Sequence, residues 1–136
     1  MFHNVINTRL APPPGNYSQG RVVDCGAYTV VHISGQTGND PITDEVVPGG
    51  IGPQTRQALK NIGAVVSAAG GVLEDIAEIT VFMENMERDK AGFEQAYLEM
   101  FQGVPLPARA LVEVSRVPLH TESTVVEIKA TAYVRR

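Results

Sequence analysis

The stretch VVEIKATAYV, residues 125–134, alternates between one apolar face and one mixed face. The apolar face consists of Val126, Ile128, Ala130, Ala132 and Val134. The mixed face consists of Val125, Glu127, Lys129, Thr131 and Tyr133. A period of two residues is typical of a β-strand that packs on a core through one side. The mixed face is too apolar for simple exposure and too charged for a core. We therefore expect it to contact another subunit or to line a site.

The stretch PLPARALVEVSR, residues 105–116, predicts a second alternating strand over 109–117. One face carries Ala110, Val112, Val114 and Arg116, and the other carries Arg109, Leu111, Glu113 and Ser115. We expect the more apolar first face to pack on helices. That orientation would place Arg109 on the same mixed sheet face as Glu127. A guanidinium at the start of an apolar strand needs a partner, so Arg109 is a candidate functional residue.

Two segments show the spacing of amphipathic helices. In QTRQALKNIGAVVSAAGG, residues 54–71, the apolar stripe comprises Ala58, Leu59, Ile62, Val65, Val66 and Ala69. Pro53 suits a first turn, and Gly70-Gly71 suits a C-terminal stop. The second stripe comprises Phe93, Ala96, Tyr97, Met100 and Phe101, and its helix ends near residues 103–105.

Shorter signals complete the predicted order of elements. Strands are expected at 21–24, 28–34 and roughly 78–84, with loops at 10–20 and 35–53. The order β-β-α-β-α-β-β predicts an α+β two-layer sandwich, in which two helices cover one face of a mixed β-sheet. Its crossovers should be right-handed. A length of 136 residues fits one domain over 1–136.

Composition excludes some classes of function. The net charge is −4 with only eleven Lys and Arg, so the chain is a poor general binder of nucleic acid. His3, His32 and His120 lack close ligand spacing, and Cys25 is the single cysteine, so neither a metal site nor a disulfide is expected. The first ten residues do not resemble a signal peptide, and no run approaches the ~18 apolar residues of a membrane span. These features favour a cytoplasmic protein.

Several segments, in order along nearly the whole chain, resemble the Rid family, also called the YjgF family. They are GNYSQG, ISGQTG, QTRQALKNIGAVVSAAGG, EDIAEITVFMENM, AYLEMF, PARALVEVSRVP and VEIKATAYV. The resemblance implies a chorismate-mutase-like fold and a homotrimer with three clefts between subunits. For the active branches it also implies hydrolysis of reactive 2-enamines and 2-imines, such as 2-aminoacrylate, to 2-keto acids and ammonia.

The resemblance assigns roles to the charged residues of the two strands. Arg109 stands where catalytic branches carry an arginine, and its planar fork can grip a substrate carboxylate with two hydrogen bonds. The alternative is an intersubunit salt bridge, for example to Glu113 or Glu127. Glu127 matches a strand glutamate that positions or activates water, and a partly buried carboxylate can act as a base. Its alternative is a structural partner for Lys129 or an arginine.

Other positions that match the family line the cleft. Tyr17 could close over the ligand, or it could be an apolar plug. Ser34 could hydrogen-bond to substrate or water, or it could merely end a strand. Gly35 could admit a close approach of ligand to backbone, or simply permit a turn.

The chain also departs from the best-studied deaminase branch. Leu111 replaces a cysteine in the pocket wall, and Glu94 stands where that branch has an asparagine. A carboxylate at that place would repel an anionic ligand if it faced the cleft. Asn16 replaces a proline, and the loop after Arg116 is about three residues longer.

Cys25, at a predicted turn, is expected to be a bystander. His32 is expected to be a packed neutral histidine, although it could tune the response of the site to pH.

Three functions compete on this basis. The first is a cofactor-independent enamine/imine deaminase. The second is a non-catalytic trimer that binds small carboxylates such as keto acids, which Glu94 and Leu111 make more credible. The third, an endoribonuclease or translation inhibitor, fits poorly because the acidic chain lacks a basic patch interleaved with aromatic residues.

Overall fold

The computed structural model describes residues 3–8, 15–117 and 123–136. Two helices pack on one face of a mixed six-stranded sheet, which confirms the α+β two-layer architecture. The elements, in chain order, are β1 His3–Ile6, β2 Gly20–Asp24, β3 Tyr28–Thr37, α1 Ile51–Ala68, β4 Ile76–Met83, α2 Met86–Met100, β5 Ala108–Glu113 and β6 Val126–Arg135.

The strand order is β1-β2-β3-β6-β4-β5. Only β4 and β5 pair in parallel, and α2 makes the connection between them. The other neighbours are antiparallel. β6 therefore lies inside the sheet between β3 and β4, whereas β5 is an edge strand.

The core lies between the sheet and the helices. The predicted apolar side of β6 is confirmed, because Val126, Ile128 and Ala132 are fully buried. Leu59 and Ile62 of α1 are equally buried against them. Truncation of either side chain to alanine is expected to cost about 2–5 kcal/mol, because the surrounding core cannot collapse fully into the cavity.

Local signals set the ends of the helices. α1 ends at Ala68, and Gly70 follows with a φ of 85°, the left-handed conformation expected at a C-terminal stop. α2 begins after Asn85, whose side-chain oxygen accepts a hydrogen bond from the backbone N–H of Arg88 at 2.9 Å.

The structure corrects the predicted orientation of β5. Arg109 and Leu111 align with Ile79 and Val81 of β4, which face the helices. The predicted core face points the other way, and Val112 is 41% exposed. The alternation itself was right, but both faces of this strand carry large apolar residues. Leu111 rather than Val112 packs against the core.

Some predicted boundaries are also wrong. β1 was not predicted, since only four residues form it, and β3 continues through Thr37 into the expected loop. β5 ends at Glu113, four residues before the predicted end of the strand. Residues 10–14 of the predicted first loop, and His120, lie outside the described residues.

Two buried or half-buried polar side chains hold the chain on either side of residues 118–122. Gln54, 1% exposed, donates to the carbonyl of Ser123 at 2.6 Å and accepts from the N–H of Val125 at 3.0 Å. Glu84 accepts from the N–H of Val117 at 2.8 Å. These contacts fix where β6 begins, and with it the position of Glu127.

Neither α1 nor α2 has the length and apolarity needed to cross a membrane, and the described residues contain no other α-helix.

Candidate active site

A bulge in β3 lies beside Glu127. The register between β3 and β6 shifts between Ile33 and Gln36, which places Ser34 and Gly35 in the irregular part of the strand. A Cβ atom on Gly35 would lie 2.7 Å from Cδ of Glu127 and 3.0 Å from its Oε1. Any larger residue here would therefore displace the Glu127 carboxyl group, which lies directly against the backbone of Gly35. Bulges often re-aim side chains in this way beside functional sites.

Glu127 itself is a buried carboxyl group, 9% exposed. Burial raises its pKa above the ordinary value of 4.5, because the charged form loses hydration. Within the described part of the chain, no hydrogen bond or ion pair compensates its charge. A carboxyl group in this environment can exchange a proton closer to neutral pH than an exposed glutamate can.

Ser34 ties the segment around Tyr17 to this bulge. Its hydroxyl donates to the carbonyl of Ser18 at 2.6 Å, and its N–H donates to the carbonyl of Gln19 at 2.9 Å. Tyr17, the neighbour of Ser18, remains 37% exposed. The structure therefore brings four sequence-predicted site residues into one region, which we call the Glu127 group: Tyr17, Ser34, Gly35 and Glu127.

Arg109 occupies a different environment on edge strand β5. Its guanidinium carbon lies 5.5 Å from the ring centre of Phe93 and 4.9 Å from that of Tyr97. Both rings belong to α2, are almost completely buried and stack on one another at 5.5 Å. Cation–π contacts of this kind hold an arginine in place while its outer nitrogens stay accessible.

The fork of Arg109 already holds a carboxylate. Its Nη1 donates to Oε1 of Glu94, and its Nη2 donates to Oε2 at 3.1 Å. The Arg109 side chain is 24% exposed and that of Glu94 is 38% exposed. These hydrogen bonds lower the pKa of Glu94 and raise that of Arg109. We call this cluster the Arg109 group: Phe93, Glu94, Tyr97, Arg109 and Leu111.

The two groups lie on opposite faces of the sheet. Arg109 aligns with Ile79 of β4, whose side chain faces the helices, whereas Glu127 aligns with Phe82, three residues later. Since side chains alternate along a strand, those two positions point in opposite directions. The prediction that Arg109 and Glu127 share a mixed face is therefore wrong within one chain.

Sequence reasoning missed the pairing of Arg109 with Glu94. Phe93 and Tyr97 were predicted only as core residues of a helix, and they do pack in the core. The signal was present, because Phe93, Glu94 and Tyr97 occupy adjacent turns of α2 and so approach one neighbouring side chain together. The alternative partner Glu113 instead accepts from the N–H of Met86 at 2.9 Å, at the start of α2.

Two further candidates lie apart from these interactions. His32 aligns with Thr131 on the sheet face without helices and is exposed, so the expectation of a packed histidine is wrong for the single chain. Cys25 is half-buried beside the β2–β3 turn, where its Sγ lies 3.9 Å from the carbonyl of Val23.

Comparison with known proteins places the chain in a family. The family model described as Endoribonuclease L-PSP matches residues 8–134. A RutC family protein of Pyrococcus horikoshii is 44% identical over 130 residues, which cover 95% of this chain and 96% of that protein. The 2-iminobutanoate/2-iminopropanoate deaminase of Mus musculus is 38% identical over 133 residues, 97% of this chain and 92% of that protein.

A solved structure agrees with both the sequence match and the fold. A Rid family protein of unknown function from Yersinia pestis aligns with a TM-score of 0.84 at 36% identity, and the alignment covers 98% of this chain and all of that one. The chain belongs to the Endoribonuclease L-PSP family, which is the Rid or YjgF family that its sequence segments resemble.

Proposed function

We propose that this protein hydrolyses small 2-enamine and 2-imine carboxylates, such as 2-aminoacrylate and its imine tautomer, to 2-keto acids and ammonia without a cofactor. The observation that carries the proposal is the fork of Arg109, which is supported by two aromatic rings and grips a carboxylate with two hydrogen bonds. A 2-imino acid presents the same planar anion beside its C=N bond. The mouse relative named as an imine deaminase supports the same chemistry.

The separation of the two groups supports a site shared between chains. One chain places Arg109 and Glu127 on opposite faces of its sheet, so a single copy does not bring both to one substrate. The sheet face without helices leaves Val112, Tyr28 and Tyr133 between 41% and 49% exposed. Large apolar side chains on an open sheet face favour contact with another subunit. We propose a homotrimer whose clefts combine the Arg109 group of one copy with the Glu127 group of the next.

In this cleft the chemistry needs one water molecule, and both of its protons end on the imine nitrogen. The Glu127 carboxylate accepts a proton from water as the water oxygen bonds to C2 of the imine, and it passes this proton to the imine nitrogen, which gives a carbinolamine. Glu127 then accepts the hydroxyl proton and passes it to the amino nitrogen as the C2–N bond breaks. The keto group forms and ammonia leaves. The raised pKa of Glu127 suits its carboxyl group both to accept and to return a proton.

The remaining residues would shape the cleft. Ser34 already donates its hydroxyl hydrogen to Ser18, so toward substrate or water it acts as an acceptor. Tyr17 would cover the ligand. Leu111, two residues after Arg109 on the same side of β5, would supply an apolar wall that suits a short aliphatic substituent.

A second candidate is a trimer that binds keto acids without turnover. The pairing of Glu94 with Arg109 favours this alternative, because it reduces access to the anion-binding fork. Saturable binding of a keto acid without faster loss of any imine would support it.

The family name suggests a ribonuclease, but a net charge of −4 disfavours this function. RNA cleavage that disappears with a point variant would contradict our view.

The proposed function can be tested with a panel of amino acids oxidised in situ to their imines. We expect the protein to accelerate imine decay, and Arg109→Ala to lower kcat/KM about 100-fold or more. Each lost charge-assisted hydrogen bond is worth roughly 1.5–3 kcal/mol. Arg56→Ala is the matched control, since Arg56 forms a comparable pair with Glu99 at 3.0 Å. Full activity of Arg109→Ala with an unchanged assembly mass would rule out the role of Arg109.

A further inference from the structure

Glu94 occupies the donors of Arg109 that a substrate carboxylate would need. Both outer nitrogens of Arg109 point to the two Glu94 oxygens. The lowered pKa of Glu94 means that this carboxyl group stays ionised at neutral pH. The nearby charge that also acts on Glu94 is Lys90, one helical turn earlier in α2. A ligand carboxylate that binds Arg109 end-on must therefore displace Glu94.

The two partners differ in their freedom to move. Arg109 is held against the rings of Phe93 and Tyr97, which are 0% and 3% exposed and belong to the core. Among the described residues no aromatic ring supports Glu94 in this way, and its side chain is 38% exposed on α2. When an anion arrives, Glu94 is the group that can rotate into water while Arg109 keeps its position.

From this geometry we propose that Glu94 lowers the affinity of the site for carboxylate ligands. It is an internal carboxylate that competes with the carboxylate of the substrate for Arg109. In the native protein it weakens the binding of small 2-imino and 2-keto monocarboxylates. The inference concerns the site of the proposed function and rests on Arg109 as its anion-binding residue. It does not require that catalysis occurs.

The binding test uses 2-oxobutanoate, the stable keto acid that corresponds to 2-iminobutanoate. Calorimetric titration of the assembled wild-type protein is compared with Glu94→Gln and Glu94→Ala. Both variants should bind about threefold to tenfold more tightly, because a partly exposed ion pair offers only a modest barrier to displacement. The side-chain oxygen of glutamine can still accept a hydrogen bond from Arg109. The alanine variant removes the competing acceptor altogether, so its affinity decides the test if the glutamine variant still competes.

Glu99→Gln is the matched control. Glu99 lies on the same helix and pairs with Arg56, at 3.1 Å from Nε and 3.0 Å from Nη2. Its substitution removes the same charge from α2 without affecting Arg109, so we expect the affinity of the wild type. Equal tightening by Glu99→Gln would overturn the proposal in favour of a general charge effect. The proposal is also overturned if both Glu94 variants bind 2-oxobutanoate as weakly as the wild type or more weakly. It is overturned as well if none of the proteins binds 2-oxobutanoate.

Kinetics separate this proposal from the proposed function. In imine hydrolysis, Glu94→Ala should lower KM by the same factor and leave kcat within about twofold, since removing the competitor favours binding of substrate and transition state equally. If the Glu94 variants bind the keto acid more tightly but neither they nor the wild type hydrolyse imines, the competition by Glu94 is supported and the deaminase is rejected. If the wild type hydrolyses imines but the Glu94 variants show neither tighter binding nor a lower KM, the deaminase is supported and the competition by Glu94 is rejected.

Discussion

The Arg109 group and the Glu127 group both place a carboxyl group beside a candidate reaction site, but in opposite electrostatic states. The carboxyl of Glu94 is half-exposed and has its pKa lowered by Arg109. The carboxyl of Glu127 is buried, lacks a described partner and has its pKa raised by burial. The first environment suits recognition of an anion, and the second suits movement of a proton. One sheet can thus prepare the two functions separately on its two faces.

The strongest test of this contrast is complementation between chains. Arg109→Ala and Glu127→Gln should each be nearly inactive alone. When the two are co-expressed, about a quarter of the clefts in a random cyclic assembly should combine an intact Arg109 with an intact Glu127. Activity should therefore recover to about that fraction of the wild type. The measurement is the rate of imine decay per chain, and sedimentation should give three times the 14.6 kDa chain mass.

Co-expression of two differently tagged Arg109→Ala chains is the control for this experiment, and it should stay inactive. Mixed assemblies that form but recover no activity would exclude a cleft built from the two groups of different copies.

A smaller effect is expected from Gly35→Ala. The new Cβ would lie 2.7 Å from Cδ of Glu127, so the carboxyl group must move away from the bulge. We expect kcat to fall about 10- to 100-fold, because misplacement of a catalytic group by roughly 1 Å has effects of this size. KM should change little, since Arg109 is not touched. Steady-state kinetics of imine hydrolysis measures both parameters.

Gly63→Ala provides the control for Gly35→Ala. Gly63 lies inside α1, and apart from the backbone of that helix no described atom stands within 4 Å of the place that a Cβ would take. This variant should be more stable by about 0.5–1 kcal/mol and fully active. An unchanged kcat in Gly35→Ala would show that the position of the Glu127 carboxyl does not matter for turnover.

The smallest effect concerns stability and pH. Because the folded state holds the Glu127 proton to higher pH than the unfolded chain does, this carboxyl destabilises the fold increasingly as pH rises above 4.5. Glu127→Gln should therefore raise the free energy of unfolding at pH 7 by about 1 kcal/mol. The gain should shrink as the pH falls from the raised folded-state pKa toward 4.5, and it should be absent below 4.5. Urea unfolding at fixed protein concentration measures this difference in the free energy of unfolding between variant and wild type.

Glu94→Gln should show the opposite sign in the same experiment. The folded-state pKa of Glu94 is lowered, so its stabilising pair is present above pH 4.5 and is lost as the pH falls through the lowered value. Parallel pH dependence of the two variants would refute the electrostatic contrast between the two groups.

The sequence predicted the core of the fold because its longest elements are strongly periodic. In α1 and β6 one side is clearly more apolar than the other, so only one orientation buries the apolar stripe. β5 is different. It carries Leu111 on one face and Val112 on the other, and as an edge strand it has a neighbour on one side only. Alternation therefore identifies its two faces but cannot say which one meets the helices.

The site was predicted in part for a similar reason. Ser34, Gly35 and Glu127 lie together because strand pairing brings the β3 bulge beside β6. Arg109 was found as a charge at the start of an apolar strand. Its partner was missed, because contact with Glu94 depends on how α2 packs beside β5. The spacing of Phe93, Glu94 and Tyr97 indicates that they lie close together on α2, but it does not indicate which strand they meet.

The hydrogen bonds of Gln54 and Glu84 have a consequence for how this protein can evolve. They anchor the chain at Val117 on one side, and at Ser123 and Val125 on the other. The distance between these anchors is set by the framework rather than by the five residues that join them. Insertions and deletions within 118–122 can thus accumulate without shifting the register of Glu127. The number of residues between the anchors can change in this way, while substitution of Gln54 removes the hydrogen bonds to both Ser123 and Val125.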